Sequence, residues 1–384
     1  MLTSAHVAWY QLSHQKMKLA VACAGVVVAV MLMLVQLGIR QGAMDNSVAI
    51  ARRINSDLVV VSPRTRTIFQ SANFPRRLLF RLPAHHSVER VEEMYMAQGR
   101  FRNPWEHREH PISIFGLDPR NPMLTLPGVA ARADELQMPD RILFDGFSRT
   151  TYGPVVEHIQ QHGFLETEVN FRKLKIIDTI NVGISITTDG NLYTTPANFL
   201  RLFPTRDPGS VDVGLIRLKP GSNADQVRKE LAPLVGKEAR ILTRSELVAA
   251  EEQFLRESAP IDFIFGMGAA VGFFIGFVVV YQILYTEVTN HLPQFATMKA
   301  MGFTDGYLLN VVLSQAFILS VFGYVPGFFL ALVLYRVATV AIQMQFSMTW
   351  ERAIMVFTLT LIMCGLSAFI AVRKVKTADP ADVF

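Results

Sequence analysis

Four long runs of apolar residues divide the sequence. They are Leu19–Leu37, Phe263–Leu284, Leu308–Leu334 and Ala353–Val372, and none of them contains Asp, Glu, Lys, Arg or His. A helix needs about 20 apolar residues to cross a bilayer, because each residue adds about 1.5 Å. The pattern therefore predicts four transmembrane helices.

The first run is too long for a cleaved signal peptide. Residues Leu19–Val35 are apolar without interruption and are not followed by a small-residue cleavage pattern. The apolar region of a signal peptide has about 7–15 residues. We expect a retained helix, preceded by an interfacial segment that contains Trp9 and Tyr10.

The polar residues are concentrated in one long insert between the first two runs. Residues 40–262 carry most of the Asp, Glu, Lys and Arg of the chain. Asp57–Ser62 and Ile176–Thr188 are typical of strands, with Asp189-Gly190 as a hairpin turn after the second, and Val88–Met96 is typical of a helix. The insert is therefore predicted to be mixed α/β.

Helix caps are recognisable near the end of the insert. Thr243 and Glu246 fit a capping box, and Asn223 is a plausible N-cap for Ala224–Leu234. A helix that continues from the capping box towards the second apolar run, paired with a helix over Gln41–Ile54, would form a stalk that carries the insert. The alternative is that these are two ordinary surface helices.

The composition supports a chain made partly for lipid and partly for water. Charged residues make up 18% of the sequence, against about 25% in soluble domains. The net charge is +5, which suits an anionic surface but is weak evidence for nucleic acid. Both cysteines, Cys23 and Cys364, lie in apolar runs, so the insert has no disulfide framework and no thiolate zinc site.

The motifs of nucleotide hydrolysis and of nucleophilic catalysis are absent from the sequence. It has no G-x-x-x-x-G-K-[ST] loop for ATP phosphates and no G-x-S-x-G elbow. His107-x-x-His110 lacks a third defined ligand, so we predict no metal site. We therefore expect neither an enzyme nor a cofactor, and any energy must come from another chain.

Glycines recur at four-residue spacing in the second apolar run. Gly268, Gly272 and Gly276 would lie on one face of the helix, where they let another helix approach closely. We predict a helix–helix seam at these residues, either within the chain or between two copies. The alternative is that glycine is simply common in membrane helices.

The loop between the second and third runs, residues 286–307, predicts a short amphipathic helix. Pro293 suits a first helical turn and Gly302 a helix end. Three residues at three-residue spacing, Phe295, Met298 and Met301, give one apolar face. Such a helix suits a groove on a partner, or alternatively the lipid surface.

A basic stretch runs from Arg64 to Arg81. It contains five arginines interleaved with phenylalanines and no acidic residue. It could contact anionic headgroups or an acidic partner, or be an ordinary solvated loop. The sequence does not decide between these roles.

Three segments together resemble a known family. Phe295–Asn310, FATMKAMGFTDGYLLN, is similar to the coupling loop of FtsX-like, MacB-type permeases of ABC transporters, with Lys299, Ala300 and Gly302 at the family's basic, Ala and Gly positions. Asp379–Phe384 resembles the family's closing motif. The N-terminal run AWYQLSHQKMKLAVACAGVVVAVMLMLVQLG is most similar to the DevC branch.

The resemblance implies a fold and a set of partners. The fold is an integral membrane α-helical protein with four transmembrane helices and a large α/β extracytoplasmic domain between the first two. The implied partners are an ABC ATPase subunit, a periplasmic adaptor of the membrane fusion type, a TolC-like outer-membrane channel, membrane lipids and a second copy of the chain. Both termini would be cytoplasmic in the inner membrane, an orientation that the Lys and Arg count does not decide.

On this interpretation the chain divides into nine segments. They are a cytoplasmic interfacial segment (1–18), the first span (19–39), a periplasmic α/β domain with stalk helices (40–262), the second span (263–285), a cytoplasmic coupling loop (286–307), the third span (308–335), a short periplasmic loop (336–352), the fourth span (353–372) and a cytoplasmic tail (373–384).

The function that the resemblance implies is export of a lipid-like or amphiphilic substrate, driven by a separate ATPase. Its coupling residues would be Pro293, Phe295, Met298, Lys299, Met301 and Gly302. The alternative is a permease of the same architecture that moves no substrate and controls a periplasmic enzyme or sensor.

Overall fold

The computed structural model describes residues 10, 16–120, 123–183, 189–258, 260–342 and 346–376, and the account below concerns these residues. Most of the predicted N-terminal segment and the closing motif at Asp379–Phe384 lie outside them. The described residues form two compact units. Among them, a membrane unit contains the chain up to Gly42, from Pro260 to Ala341 and from Phe346 onward, and an insert unit contains residues 43–258 and Ile342.

The helices extend beyond the apolar runs that predict them. In chain order they are α1 (Lys16–Ser47), α2 (Ala49–Arg53), α3 (Ala133–Leu136), α4 (Val155–His162), α5 (Pro196–Leu202), α6 (Ala224–Val235), α7 (Arg244–Ser258), α8 (Ile261–Asn290), α9 (Leu292–Ala300), α10 (Asp305–Ile342) and α11 (Trp350–Lys376). Within the described part of the chain, α1, α8, α10 and α11 are the four helices long and apolar enough to cross a membrane. The chain is thus a multi-pass membrane protein.

The membrane unit is organised around α1. Its buried residues recur at helical spacing, as Ala22, Val26, Ala29 and Met33 show. One side of α1 packs on α8 and another on α10, and α8 also packs on α11. The outward surfaces of α8, α10 and α11 carry exposed Phe, Ile and Val side chains, as lipid-facing surfaces do.

The insert unit contains eleven strands among its described residues. They are β1 (Leu58–Val61), β2 (Phe74–Pro75), β3 (Val88–Arg102), β4 (Glu109–Gly116), β5 (Arg141–Asp145), β6 (Leu165–Val169), β7 (Arg172–Ile180), β8 (Asn191–Thr194), β9 (Ser210–Val211), β10 (Val213–Leu218) and β11 (Arg240–Thr243). Nine of them form one sheet in the order β11-β1-β10-β3-β4-β8-β5-β7-β6, and β2 pairs with β9. The expected fold class, four membrane helices with a mixed α/β domain between the first two, is confirmed.

The long strand β3 joins two halves of the sheet. Its first half pairs with β10, from Met94 opposite Val213 to Val88 opposite Leu218, and its second half pairs with β4. Phe101 also pairs with Val169 of β6. The six strands that are adjacent in the order β3-β4-β8-β5-β7-β6 therefore form a closed ring. Both faces of the sheet are covered: Leu58 and Val60 face one hydrophobic core, and Val59 and Val61 face another.

The helix predicted over Val88–Met96 is wrong, because this segment is the first part of β3. Two of its acidic residues have partners inside the fold. Glu93 accepts a hydrogen bond from Arg76 at 2.6 Å, and Glu92 accepts the Met123 N–H at 2.9 Å. Since both faces of β3 are covered, a simple alternation of polar and apolar residues is lost.

The hairpin predicted at Asp189-Gly190 is also wrong. β8 pairs in parallel with β4 and antiparallel with β5, and β5 lies between β7 and β8 in the sheet. The strand itself ends at Ile180, and residues 184–188 lie outside the described residues.

Two predicted helix caps are confirmed. Asn223 accepts hydrogen bonds from the Asp225 and Gln226 N–H groups, at 3.0 and 3.2 Å. Glu246 accepts the Thr243 N–H at 2.9 Å, while Thr243 Oγ1 accepts the Glu246 N–H at 3.2 Å. The two reciprocal bonds satisfy groups that a helix start leaves free.

The two helices of the proposed stalk touch each other within the insert unit. α2 packs against α7, and Arg52 forms an ion pair with Glu252 at 3.3 Å. Arg244 also donates to the main-chain carbonyl of Arg52.

Candidate coupling loop and helix seams

The loop between the second and third membrane helices contains a short helix, α9. Proline suits its position at residue 293, next to the helix start at Leu292. The helix ends at Ala300, Gly302 follows with a φ of 94°, and the Phe303 N–H donates to Met298 O at 3.1 Å. This bond and the positive φ form a Schellman cap, so glycine at residue 302 has a backbone reason.

One face of α9 is open to solvent. Pro293, Thr297 and Met301 follow at four-residue spacing and are all exposed, with Met301 65% exposed. Met298, in contrast, is half-buried and packs against the apolar core of the membrane unit. Of the predicted coupling residues, the structure therefore brings Pro293 and Met301 to one surface and turns Met298 away from it. The side chains of Phe295 and Lys299 lie outside the description.

A polar relay connects α8 to α9. Glu287, buried near the end of α8, lies 2.9 Å from Nε2 of His291, whose Nδ1 lies 2.9 Å from Gln294 Oε1. Because these bonds cross the break between the two helices, they fix the angle at which α9 leaves α8.

The three seam glycines of α8 all face neighbours in the same chain. A Cβ at Gly276 would lie 2.6 Å from Ala29 Cβ, and one at Gly272 would lie 3.2 Å from Leu32 Cβ. A Cβ at Gly268 would meet the Gln36 side chain at 2.6 Å. The glycines therefore let α1 approach α8.

A second set of glycines lets α1 approach α10. At Gly327, a Cβ would lie 3.0 Å from both the Val27 carbonyl oxygen and Val30 Cβ. Gly38 of α1 leaves room for the ring of Tyr335, whose hydroxyl donates to the Leu34 carbonyl. Arg352 at the start of α11 is buried and donates to the same hydroxyl at 3.3 Å.

The insert contains a buried carboxyl on α7. Glu251 accepts the Ile68 N–H at 2.6 Å, and burial raises its pKa from 4.5 to about 7, against the lowering effect of that hydrogen bond. It lies between Leu247 and Leu255 on the buried face of the helix. That spacing, a Glu inside an apolar stripe, is the sequence signal that could have found it.

A second buried carboxyl closes a loop. Asp145 accepts hydrogen bonds from the N–H groups of Phe147, Val182 and Gly183 and from the Asn191 amide, at 3.0–3.1 Å. Burial raises its pKa, and these bonds act in the opposite direction. With its oxygens occupied by four donors, this carboxyl holds the chain together rather than presenting a reactive group.

The basic stretch is partly neutralised. Arg76 pairs with Glu93 and Arg77 with Glu238, at 2.6 and 2.9 Å, while Arg64 and Arg81 are exposed. Among the described residues, no group of three His, Cys, Asp or Glu side chains could hold a metal ion.

The C-terminal part of the chain matches a known family model. Residues 266–380 match the family model described as FtsX-like permease C-terminal. This part of the chain is similar to FtsX-like permeases. The matched residues include most of α8 and the whole of α9, α10 and α11, together with the loop whose geometry is given above. No curated protein matches the chain.

Three solved structures are similar to the insert. The periplasmic region of MacB from Actinobacillus actinomycetemcomitans is 13% identical and covers 50% of this chain and 92% of its own, with a TM-score of 0.35. The extracellular domain of the noncanonic ABC-type transporter YknZ from Gram-positive bacteria is 10% identical over 49% and 100%, with a TM-score of 0.34. A domain of a permease protein from Porphyromonas gingivalis is 12% identical over 49% and 89%, with a TM-score of 0.31. At such low scores these similarities say nothing about what the insert binds.

Proposed function

We propose that this chain is the membrane-spanning permease subunit of an ABC-type assembly and that its loop 286–307 is moved by a separate ATPase chain. The observation that carries the proposal is the FtsX-like permease domain over residues 266–380, which contains this loop. The sequence has no phosphate-binding loop of its own, so the energy of ATP must enter through a contact with another protein.

The exposed face of α9 is the surface proposed for that contact. Met301 is a large apolar side chain exposed to solvent, and Pro293 and Thr297 continue the same face. A short helix with such a face fits a groove on a partner. Phe295 and Lys299 stay in the proposed surface on the sequence pattern alone. Met298 and Gly302 support it from behind, through bundle packing and the helix cap.

The polar relay suits transmission of a displacement from α9 to α8. Glu287, His291 and Gln294 are joined by two contacts of 2.9 Å across the junction of α8 and α9. A displaced α9 would therefore carry α8 with it instead of bending at the junction. Close packing of α8 on α1, through Gly272 and Gly276, would then spread the motion through the bundle.

The finer proposal gives the assembly its orientation and remaining partners. The loop and both termini would be cytoplasmic and the insert periplasmic, where it would meet an adaptor leading to an outer-membrane channel, as in the DevC branch. A lipid-like or amphiphilic substrate follows from the same likeness.

Since the seam glycines are used within the chain, a second copy would have to meet other surfaces, such as the exposed row Phe263, Met267 and Phe274 of α8.

A second candidate function is control of a periplasmic enzyme or sensor without transport. The observation that favours it is the apolar core of the bundle, in which Val30, Leu319 and Met363 are fully buried. Closely packed apolar helices suit levers better than a wet path for a polar substrate.

Two experiments test the proposal. The chain, purified from its native membrane, is expected to retain an ATPase subunit, and loss of this subunit on Met301→Asp would support the docking face.

In whole cells, a cysteine placed at Thr297 should resist a membrane-impermeant maleimide while one at the exposed Lys219 reacts. Labelling of Thr297→Cys from outside would refute the orientation.

A further inference from the structure

The hairpin between β6 and β7 has an unusual turn. Val169 pairs with Arg172, so only Asn170 and Phe171 form the turn, and both have positive φ, of 50° and 62°. A two-residue turn with two positive φ values normally places Gly at the second position, because a side chain there is strained. A phenylalanine at that position therefore destabilises the folded state.

Packing of the Phe171 side chain does not offset this strain. Phe171 is 81% exposed, more than any other large apolar side chain described in the insert unit. Phe164, just before the same hairpin, is shielded by the Lys175 ammonium 3.5 Å from its ring centre. No aromatic or cationic group covers the Phe171 ring among the described residues. Folding alone would be better served by Gly, and solubility by a polar residue.

The turn is held in a fixed position. Asn170 donates its N–H to Arg100 O at 3.0 Å and accepts the Arg100 N–H on its side-chain oxygen at 2.9 Å. Its side-chain amide also donates to Leu202 O at 3.2 Å. The turn is thus tied to β3 and to the end of α5, so the backbone that carries the Phe171 ring has little freedom left to lose on binding.

The surroundings of the turn are basic. Arg172 and Arg201 share one carboxylate, Asp140, at 2.6 and 3.2 Å. Arg100 is largely exposed, and its carboxylate partner, Glu109, is 3.8 Å away. Three arginines therefore face two carboxylates, which leaves an excess of positive charge beside an exposed aromatic ring. Aromatic side chains and arginines are enriched at protein–protein interfaces.

We propose that the Asn170-Phe171 turn is a docking knob that inserts the Phe171 ring into an apolar pocket with an acidic rim on a separate partner protein. Strain at Phe171, its exposure and its bracing by Asn170 are together explained by this role, and the positive charge around it defines the rim. The inference concerns the insert only and does not depend on whether an ATPase docks at loop 286–307.

Photo-crosslinking in the full-length chain tests the proposal directly. p-Benzoylphenylalanine would replace Phe171 in the native membrane, with replacement of the half-exposed Phe147 as the matched control. We expect one protein adduct at residue 171, at least about tenfold stronger than at residue 147, that maps to apolar residues beside a carboxylate. Arg100→Glu should weaken this adduct about tenfold, because it reverses the charge but keeps the main-chain bonds to Asn170. Equal yields at the two positions, or an adduct mapped to lipid or to a second copy of the chain, would overturn the assignment.

A second variant separates docking from folding. Phe171→Gly relieves the strain of the turn, so its unfolding temperature should equal or exceed that of the unaltered chain. Co-purification of the partner found by crosslinking should nevertheless fall about tenfold. A parallel fall of stability and partner binding would assign Phe171 a structural role, and unchanged partner binding would leave the knob without a function; either result overturns the proposal.

Discussion

The hydroxyl of Tyr335 on α10 donates a hydrogen bond to the main-chain carbonyl of Leu34 on α1. Gly38, one turn further along α1, has no side chain to obstruct the phenol ring. The same hydroxyl accepts a hydrogen bond from the buried Arg352 of α11, so one atom links three membrane helices. A buried guanidinium needs such partners, since an unpaired one is costly away from water.

Tyr335→Phe should therefore loosen the bundle. Loss of the bond to Leu34 and of the contact to Arg352 is expected to cost about 1–2 kcal/mol. Thermal unfolding in detergent measures the effect. Tyr281→Phe is the control, because the Tyr281 hydroxyl makes no hydrogen bond that the described residues show. Equal unfolding temperatures for the two variants would mean that the Tyr335 bond contributes nothing.

The glycines of α8 allow a comparison between close and open positions. Gly276→Leu would force a side chain into Ala29 and Met363, and overpacking of this kind costs about 1–3 kcal/mol. At Gly266 nothing lies within 4 Å of an added Cβ, so Gly266→Leu should be tolerated. Unfolding temperature and yield of the folded chain distinguish them. If Gly276→Leu behaved like Gly266→Leu, the seam between α1 and α8 would have to be abandoned.

Glu251 predicts a pH dependence of insert stability. Its pKa rises from 4.5 to about 7 on folding, so between these values the folded state holds a proton that the unfolded state releases. Stability contributed by this group is therefore greatest below pH 4.5, falls as the pH rises and stays level above pH 7, a total change of up to about 3 kcal/mol.

Glu251→Gln removes this titration and still offers an oxygen to the Ile68 N–H. The free energy of unfolding of the variant minus that of the unaltered chain should be greater at pH 8 than at pH 5. Unfolding curves at the two pH values, with the exposed Glu257→Gln as control, measure the difference. A constant difference between variant and unaltered chain at both pH values would show that Glu251 is already ionised in the fold.

How far the sequence predicts the structure depends on whether a signal is local. The membrane helices were predictable because about 20 apolar residues in succession leave few alternatives. The caps at Asn223 and Thr243 were predictable because their partners lie within three residues. Sheet order was not, since β5 separates β7 from β8 through pairings between distant parts of the chain.

Site residues follow the same rule. Gly302 predicts the end of its own helix from local sequence. Gly272 predicts only that another helix packs closely, and the structure identifies that helix as α1. Three-residue spacing placed Met298 on the outer face of α9, but its packing on the bundle core makes Met301 the more accessible of the two. No pattern in the sequence marked Phe171, because the strain arises from the two-residue turn that pairing of Val169 with Arg172 imposes.

The most direct test of the account is ATP hydrolysis measured on the complex isolated from the native membrane. We expect the unaltered chain to bring down an ATPase subunit with its activity and to hydrolyse no ATP after that subunit is stripped. Met301→Asp should lower the recovered subunit about tenfold or more, while Met138→Asp, at an exposed methionine of the insert, should leave it unchanged. Hydrolysis by the stripped chain, or full recovery of the subunit with Met301→Asp, would contradict the proposal that this permease domain receives its motion through α9.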